Sequence, residues 1–73
     1  GILLEEMKVE GSRIAVRVSQ PCAGRFIGPG GVTLAHDAGT AFEYSAGHEE
    51  YVRFEGESDE GRIFLQPLFR EHD

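Results

Sequence analysis

Hydrophobic and polar positions alternate with a period of two over most of the chain, which is the pattern of strands with one buried and one wet face. It is cleanest from Arg13 to Ser19, where Ile14, Val16 and Val18 share one side and Arg13, Ala15 and Arg17 the other. The run Glu5 to Glu10 alternates Leu4, Glu6 and Lys8 against Glu5, Met7 and Val9, and Glu10-Gly11-Ser12 is a turn signal. Together these two runs predict a first hairpin. Gln20-Pro21-Cys22-Ala23 should end it, because proline cannot donate to a ladder and restricts the residue before it. Short strands follow at Gly24–Ile27, Val32–His36 and Thr40–Tyr44, separated by Gly28-Pro29-Gly30-Gly31 and His36-Asp37-Ala38-Gly39. Phe42 is the core residue of the last of them if Ala41 and Glu43 face out.

The segment from Glu49 to Phe69 organises the rest. Val52, Phe54 and Gly56 alternate with Arg53, Glu55 and Glu57, and Ser58-Asp59-Glu60-Gly61 breaks the pattern with residues that bond their own backbone or accept positive φ. The chain reverses there. The return run Arg62 to Phe69 is apolar on both faces, and Pro67 places an edge or a bulge in it. About seven short strands at intervals of roughly 8–12 residues predict an all-β fold. The favoured architecture is a small antiparallel β-sandwich, immunoglobulin- or fibronectin-III-like, with the first, second and fifth strands facing the other four. A small open barrel is the alternative.

At 73 residues the chain is one domain, residues 1–73, burying only about 60–65% of the surface its unfolded form exposes. A core that thin invites docking against another domain or a second copy. The formal net charge of −6, with seven Lys and Arg spread singly, disfavours nucleic acid and acidic membranes as partners. Ile2-Leu3-Leu4 is too short for a signal or an anchor. The single Cys22 rules out an internal disulfide, and a free thiol fits a reducing cytoplasm.

Candidate chemistry reduces to simpler readings. Gly28-Pro29-Gly30-Gly31 is followed by a β-run and no nearby Lys, so it is a turn and not a phosphate cradle. Glu55, Glu57, Asp59 and Glu60 lack calcium-loop spacing and read as a solvated turn. His36, His48 and His72 are too scattered for a metal centre. Cys22 lies between Pro21 and Ala23, with no base or cation beside it, so it reads as a small half-buried residue. No catalytic residue, cofactor or metal is expected. Parity sets Tyr51 against a tyrosine corner, since Val52 and Phe54 take the buried face. Tyr44, Tyr51, Leu65, Leu68 and Phe69 are the expected docking surface.

The order Arg25-Phe26-Ile27-Gly28-Pro29-Gly30-Gly31-Val32-Thr33-Leu34-Ala35, then Glu50-Tyr51-Val52-Arg53, then Gly61-Arg62 leading to Gln66-Pro67-Leu68-Phe69, resembles the C-terminal tail domain of CehA/McbA-type metallohydrolases of the PHP superfamily. The likeness runs from about Val9 to Phe69; Leu65 departs from it, standing where those tails have an aromatic, and so does the unusually acidic turn. The resemblance implies a metal-dependent phosphoesterase-like domain upstream, whose His and Asp ligands have no counterpart here. It also implies that this chain is a C-terminal fragment of a larger protein. The expected function is a non-catalytic accessory domain that packs on or orients that catalytic domain, in the same chain or as a protein partner. A free-standing carbohydrate- or protein-binding module with an aromatic face of Tyr44, Tyr51, Phe64 or Phe69 is the alternative. An oligomerising enzyme subunit with a shared interface site is the third class.

Overall fold

The computed structural model of the chain describes residues 1–65 and the backbone of residues 68 and 69. Among the described residues six strands follow one another: β1 Leu4–Glu10, β2 Arg13–Ile27, β3 Thr33–Ser45, β4 Tyr51–Ser58, β5 Gly61–Phe64 and β6 Leu68–Phe69. Among the described residues the only helical element is a single 3-10 turn, Pro29–Gly31. The fold is all-β, a curled antiparallel sheet built along the path β1-β2-β4-β5, with β3 on the other flank of β2 and β6 added to β4.

Everything is hung on β2. Its first half pairs with β1, Glu10 opposite Arg13 and Val9 opposite Ile14. Its second half pairs with β4, Phe26 opposite Phe54 and Gly24 opposite Gly56. Along its other edge runs β3, from Arg13 opposite Ser45 to Ile27 opposite Thr33. Two strands expected at Arg13–Ser19 and Gly24–Ile27 are therefore one strand, and those expected at Val32–His36 and Thr40–Tyr44 are likewise one. Pro21 and Gly39 do not stop these strands. The register instead jumps between Arg17 opposite Ala41 and Cys22 opposite Gly39, leaving Pro21 where its missing N–H costs no bond to β3, the bulge position that proline tolerates. Cys22 lies four positions after Val18, an even step, so the buried parity of Ile14, Val16 and Val18 continues through Cys22, Gly24 and Phe26.

The expected turns at Gly11-Ser12, Pro29-Gly31 and Asp59-Glu60 are present. Ser58 pairs with Gly61 across the last of them, and Ser58 Oγ accepts a hydrogen bond from the Glu60 N–H at 3.0 Å. The Pro67 expectation lies outside the described residues.

The inner face carries one apolar cluster drawn from both halves of β2: Ile14, Val16 and Val18 with Cys22, Phe26, Phe42, Val52 and Phe54, joined by Ile2 and Ala46. Its centre is aromatic. The Phe54 ring lies 5.2 Å from Phe26 and 5.1 Å from Phe42 between centroids, both inclined, the geometry in which ring edges meet ring faces favourably. Beneath the rings Gly24 faces Gly56 across the β2–β4 ladder. A Cβ on Gly24 would stand 2.6 Å from Phe42 Cε1 and 2.8 Å from Phe54 Cζ, so the rings occupy space that any other residue would fill.

Gly24→Ala is expected to destabilise the chain by about 1–3 kcal/mol through overpacking, read as a lower urea midpoint with an unchanged m-value. The backbone at Gly24 is not in the left-handed region, so the loss carries no backbone strain and reports ring displacement, offset in part by the lower entropy of the unfolded alanine chain.

Candidate functional site

Residues on the outer face form cross-strand rows. His36, Arg25, Glu55 and Phe64 lie side by side across β3, β2, β4 and β5, and Ala38, Ala23, Glu57 and Arg62 form the next row. The small side chains at Ala23 and Ala38 lower the second row. The result is an open depression of about 370 Å3 lined by Ala23, Arg25, Glu55, Gly56, Glu57, Arg62 and Phe64.

Its charges are engaged with one another. Arg25 Nη2 donates to Glu55 Oε1 at 2.8 Å, and Arg53 Nη2 stands 3.6 Å from Glu55 Oε2. Arg62 Nε donates to Glu57 Oε2 at 3.1 Å. Pairs this open contribute little to stability, about 0–1 kcal/mol each; their effect is to hold a level, locally neutral rim. Phe64 stands at the edge of that rim, 62% exposed. The arrangement presents a ring framed by paired guanidinium and carboxylate groups, which suits recognition of a surface.

The residues expected to form a docking surface are not all on one face. Tyr44 packs against the core cluster, stacked on Phe26 with centroids 5.5 Å apart, and its hydroxyl donates to Glu49 Oε2 at 3.0 Å. It is therefore used inside the fold. Leu65 also packs on the core, and its N–H donates to the Phe54 carbonyl at 3.0 Å. Tyr51 is half-buried at the start of β4. β6 sets Phe69 opposite Tyr51 and Leu68 opposite Val52; the side chains of Leu68 and Phe69 lie outside the described residues. Among the described residues Phe64 is the ring of the expected aromatic face that stands open, and its signal in the sequence is the return run's apolar character on both sides.

Among the described residues no three His, Cys, Asp or Glu side chains converge in a way that could hold a metal ion. His36 and His48 are exposed, and the expectation for His72 lies outside the described residues. Cys22 is buried, not half-buried as its flanks suggested, with 6% of its surface open. Burial pushes its thiol pKa up, against a smaller lowering by a backbone hydrogen bond from Glu57. The net rise and the burial together disfavour a nucleophilic thiolate here.

No protein-family model, curated protein or solved structure matches the chain.

Tyr44 titrates above its ordinary value of 10.0, first because burial disfavours the phenolate and then because Glu49 accepts its hydrogen bond and repels the anion. The folded chain thus keeps a proton that the unfolded chain releases. The stability this represents is complete below the ordinary value and is lost as pH rises through the folded one. In a Tyr51→Phe background, Glu49→Gln should bring the phenolate absorbance of Tyr44 to lower pH, as followed by ultraviolet titration of the folded chain.

Proposed function

We propose that the chain is a non-catalytic accessory domain that packs against, and orients, a larger metal-dependent hydrolase domain of the CehA/McbA type. The observation that carries this reading is Phe64, an aromatic ring 62% exposed at the mouth of the outer-face depression. Covering such a ring stabilises a contact by about 1.5–3 kcal/mol. The rim around it, Arg25 with Glu55 and Arg62 with Glu57, is already paired, so a partner meets few charges that it must neutralise. An aromatic anchor inside a polar rim is the usual organisation of a binding hot spot.

The nature of the partner rests on the motif order from Arg25 to Phe69. An immunoglobulin-like, two-layer description belongs to the same proposal: β2 and β3 pass through both halves of the sheet, and one core cluster draws on each half. The same open ring also favours a second reading, a free-standing carbohydrate- or protein-binding module. A flat aromatic beside fixed carboxylates and guanidiniums can stack a sugar ring and orient its hydroxyls.

The test compares the hydrolase that carries this chain in three forms: intact, without residues 1–73, and with Phe64→Ser alone. Soluble yield and metal-dependent turnover are measured for each. Phe64→Ser should reproduce the deletion's loss on at least one count, while the isolated chain's unfolding free energy moves by less than about 0.5 kcal/mol, as for other exposed positions. A deletion that changes neither count rules the accessory role out.

A further inference from the structure

At the far end of the strand path from Phe64, β1 has β2 on one side and, among the described residues, no strand on the other. Its side chains divide by face. Leu4 is opposite Val18, Met7 opposite Val16 and Val9 opposite Ile14, so these three continue the apolar inner row. Their β2 partners are 1–2% exposed, whereas Leu4, Met7 and Val9 are 40–41% exposed. The row runs off the sheet unfinished. On the outer face Glu6 is opposite Arg17 and Lys8 opposite Ala15. Lys8 is also the cation without an ion pair among the described residues, since each described arginine has one.

We propose that β1 pairs with β1 of a second copy of this chain, antiparallel, about a two-fold axis at Met7. Opposed residues in an antiparallel ladder share a face. With Met7 opposite Met7, Glu6 of each copy meets Lys8 of the other on the outer side. On the inner side Val9 of each copy meets Leu4 of the other, because the irregularity between Leu4 and Glu6 takes Glu5 out of the count. Both rows are then self-complementary, as an isologous interface requires.

Neighbouring registers fail. Centring on Lys8 opposes Lys8 to Lys8 and Glu6 to Glu10, and centring on Glu6 opposes Glu6 to itself. Offsets that set inner residues against outer ones turn the apolar row into water. Centring on Val9 does oppose Lys8 to Glu10, but it engages only the end of the strand. A lysine and a bulge at a free edge commonly block pairing. Here the lysine meets a glutamate in the Met7 register and lysine in the Lys8 one, so it selects the register. The surface is distinct from the Phe64 depression, and the two can be occupied at once.

Sedimentation equilibrium of the 73-residue chain tests this, with circular dichroism to confirm that each variant is folded. The wild type should reach twice the 8.0 kDa chain mass as concentration rises. Glu6→Lys and Lys8→Glu should each weaken the dimer roughly tenfold or more, because each creates two like-charged cross-strand pairs. Mixed in equal amounts, the two variants should recover a dimer, since every Glu6–Lys8 contact becomes opposite in sign again. A wild type that stays monomeric overturns the proposal. So does a dimer that survives both substitutions, or one that Glu10→Lys abolishes and Glu6→Lys does not, which would put the axis at Val9.

Discussion

The contact on which the fold depends is the close packing over the paired glycines of β2 and β4. With no side chain on Gly24 the rings of Phe42 and Phe54 lie directly on the backbone, and with none on Gly56 the Cys22 thiol, Ile63 and the edge of Phe54 do the same. That fills the inner face without a second full layer of side chains. A chain of 73 residues has few other ways to reach native packing density. Small residues below and large ones above are a substitute for size.

The same economy explains the length of β2. A strand of 15 residues spans the whole of β3 on one side, with its ladder interrupted only at register shifts, and has room for both β1 and β4 on the other. Short strands joined by loops would leave more backbone donors and acceptors to be satisfied by water or caps. The bulge around Pro21 and the positive φ of Gly39 let the paired strands bend together, so one core cluster is shared by both halves of the sheet. The curvature comes from the residues whose local chemistry argues for a break.

This is why the sequence was readable in one respect and misleading in another. Burial parity is local, and alternation at Ile14, Val16, Val18 and again at Val52, Phe54, Gly56 named the inner face correctly. Strand termination is not local. Pro21 and Gly39 carry turn chemistry, yet tertiary pairing on β2 absorbs both. Leu4 shows the same effect on a smaller scale: strict alternation sets it opposite in face to Met7 and Val9, but the irregularity at Glu5 brings all three to one side. The candidate sites divide likewise. Phe64 is legible as part of an apolar return run, whereas the stacking of Tyr44 on Phe26 and its bond to Glu49 are tertiary contacts that no local pattern encodes. The β1 edge carried no signal, because its apolar row exists only once the bulge has aligned it.

The two ends of the strand path have different physical characters. At β5 the apolar element is a single ring surrounded by charges that satisfy one another, so a partner there must match a shape. At β1 the apolar element is a row, flanked by backbone groups on the free edge and by a Glu6–Lys8 alternation of opposite sign. A row with a ladder beside it is best completed by another strand, which supplies hydrogen bonds and buries side chains in the same step. The net charge of −6 opposes bringing two copies together, and the exposed Leu4, Met7 and Val9 offset it. Completing the inner row across a two-fold axis would therefore extend the same thin core that the glycine pair makes possible, from one chain into two.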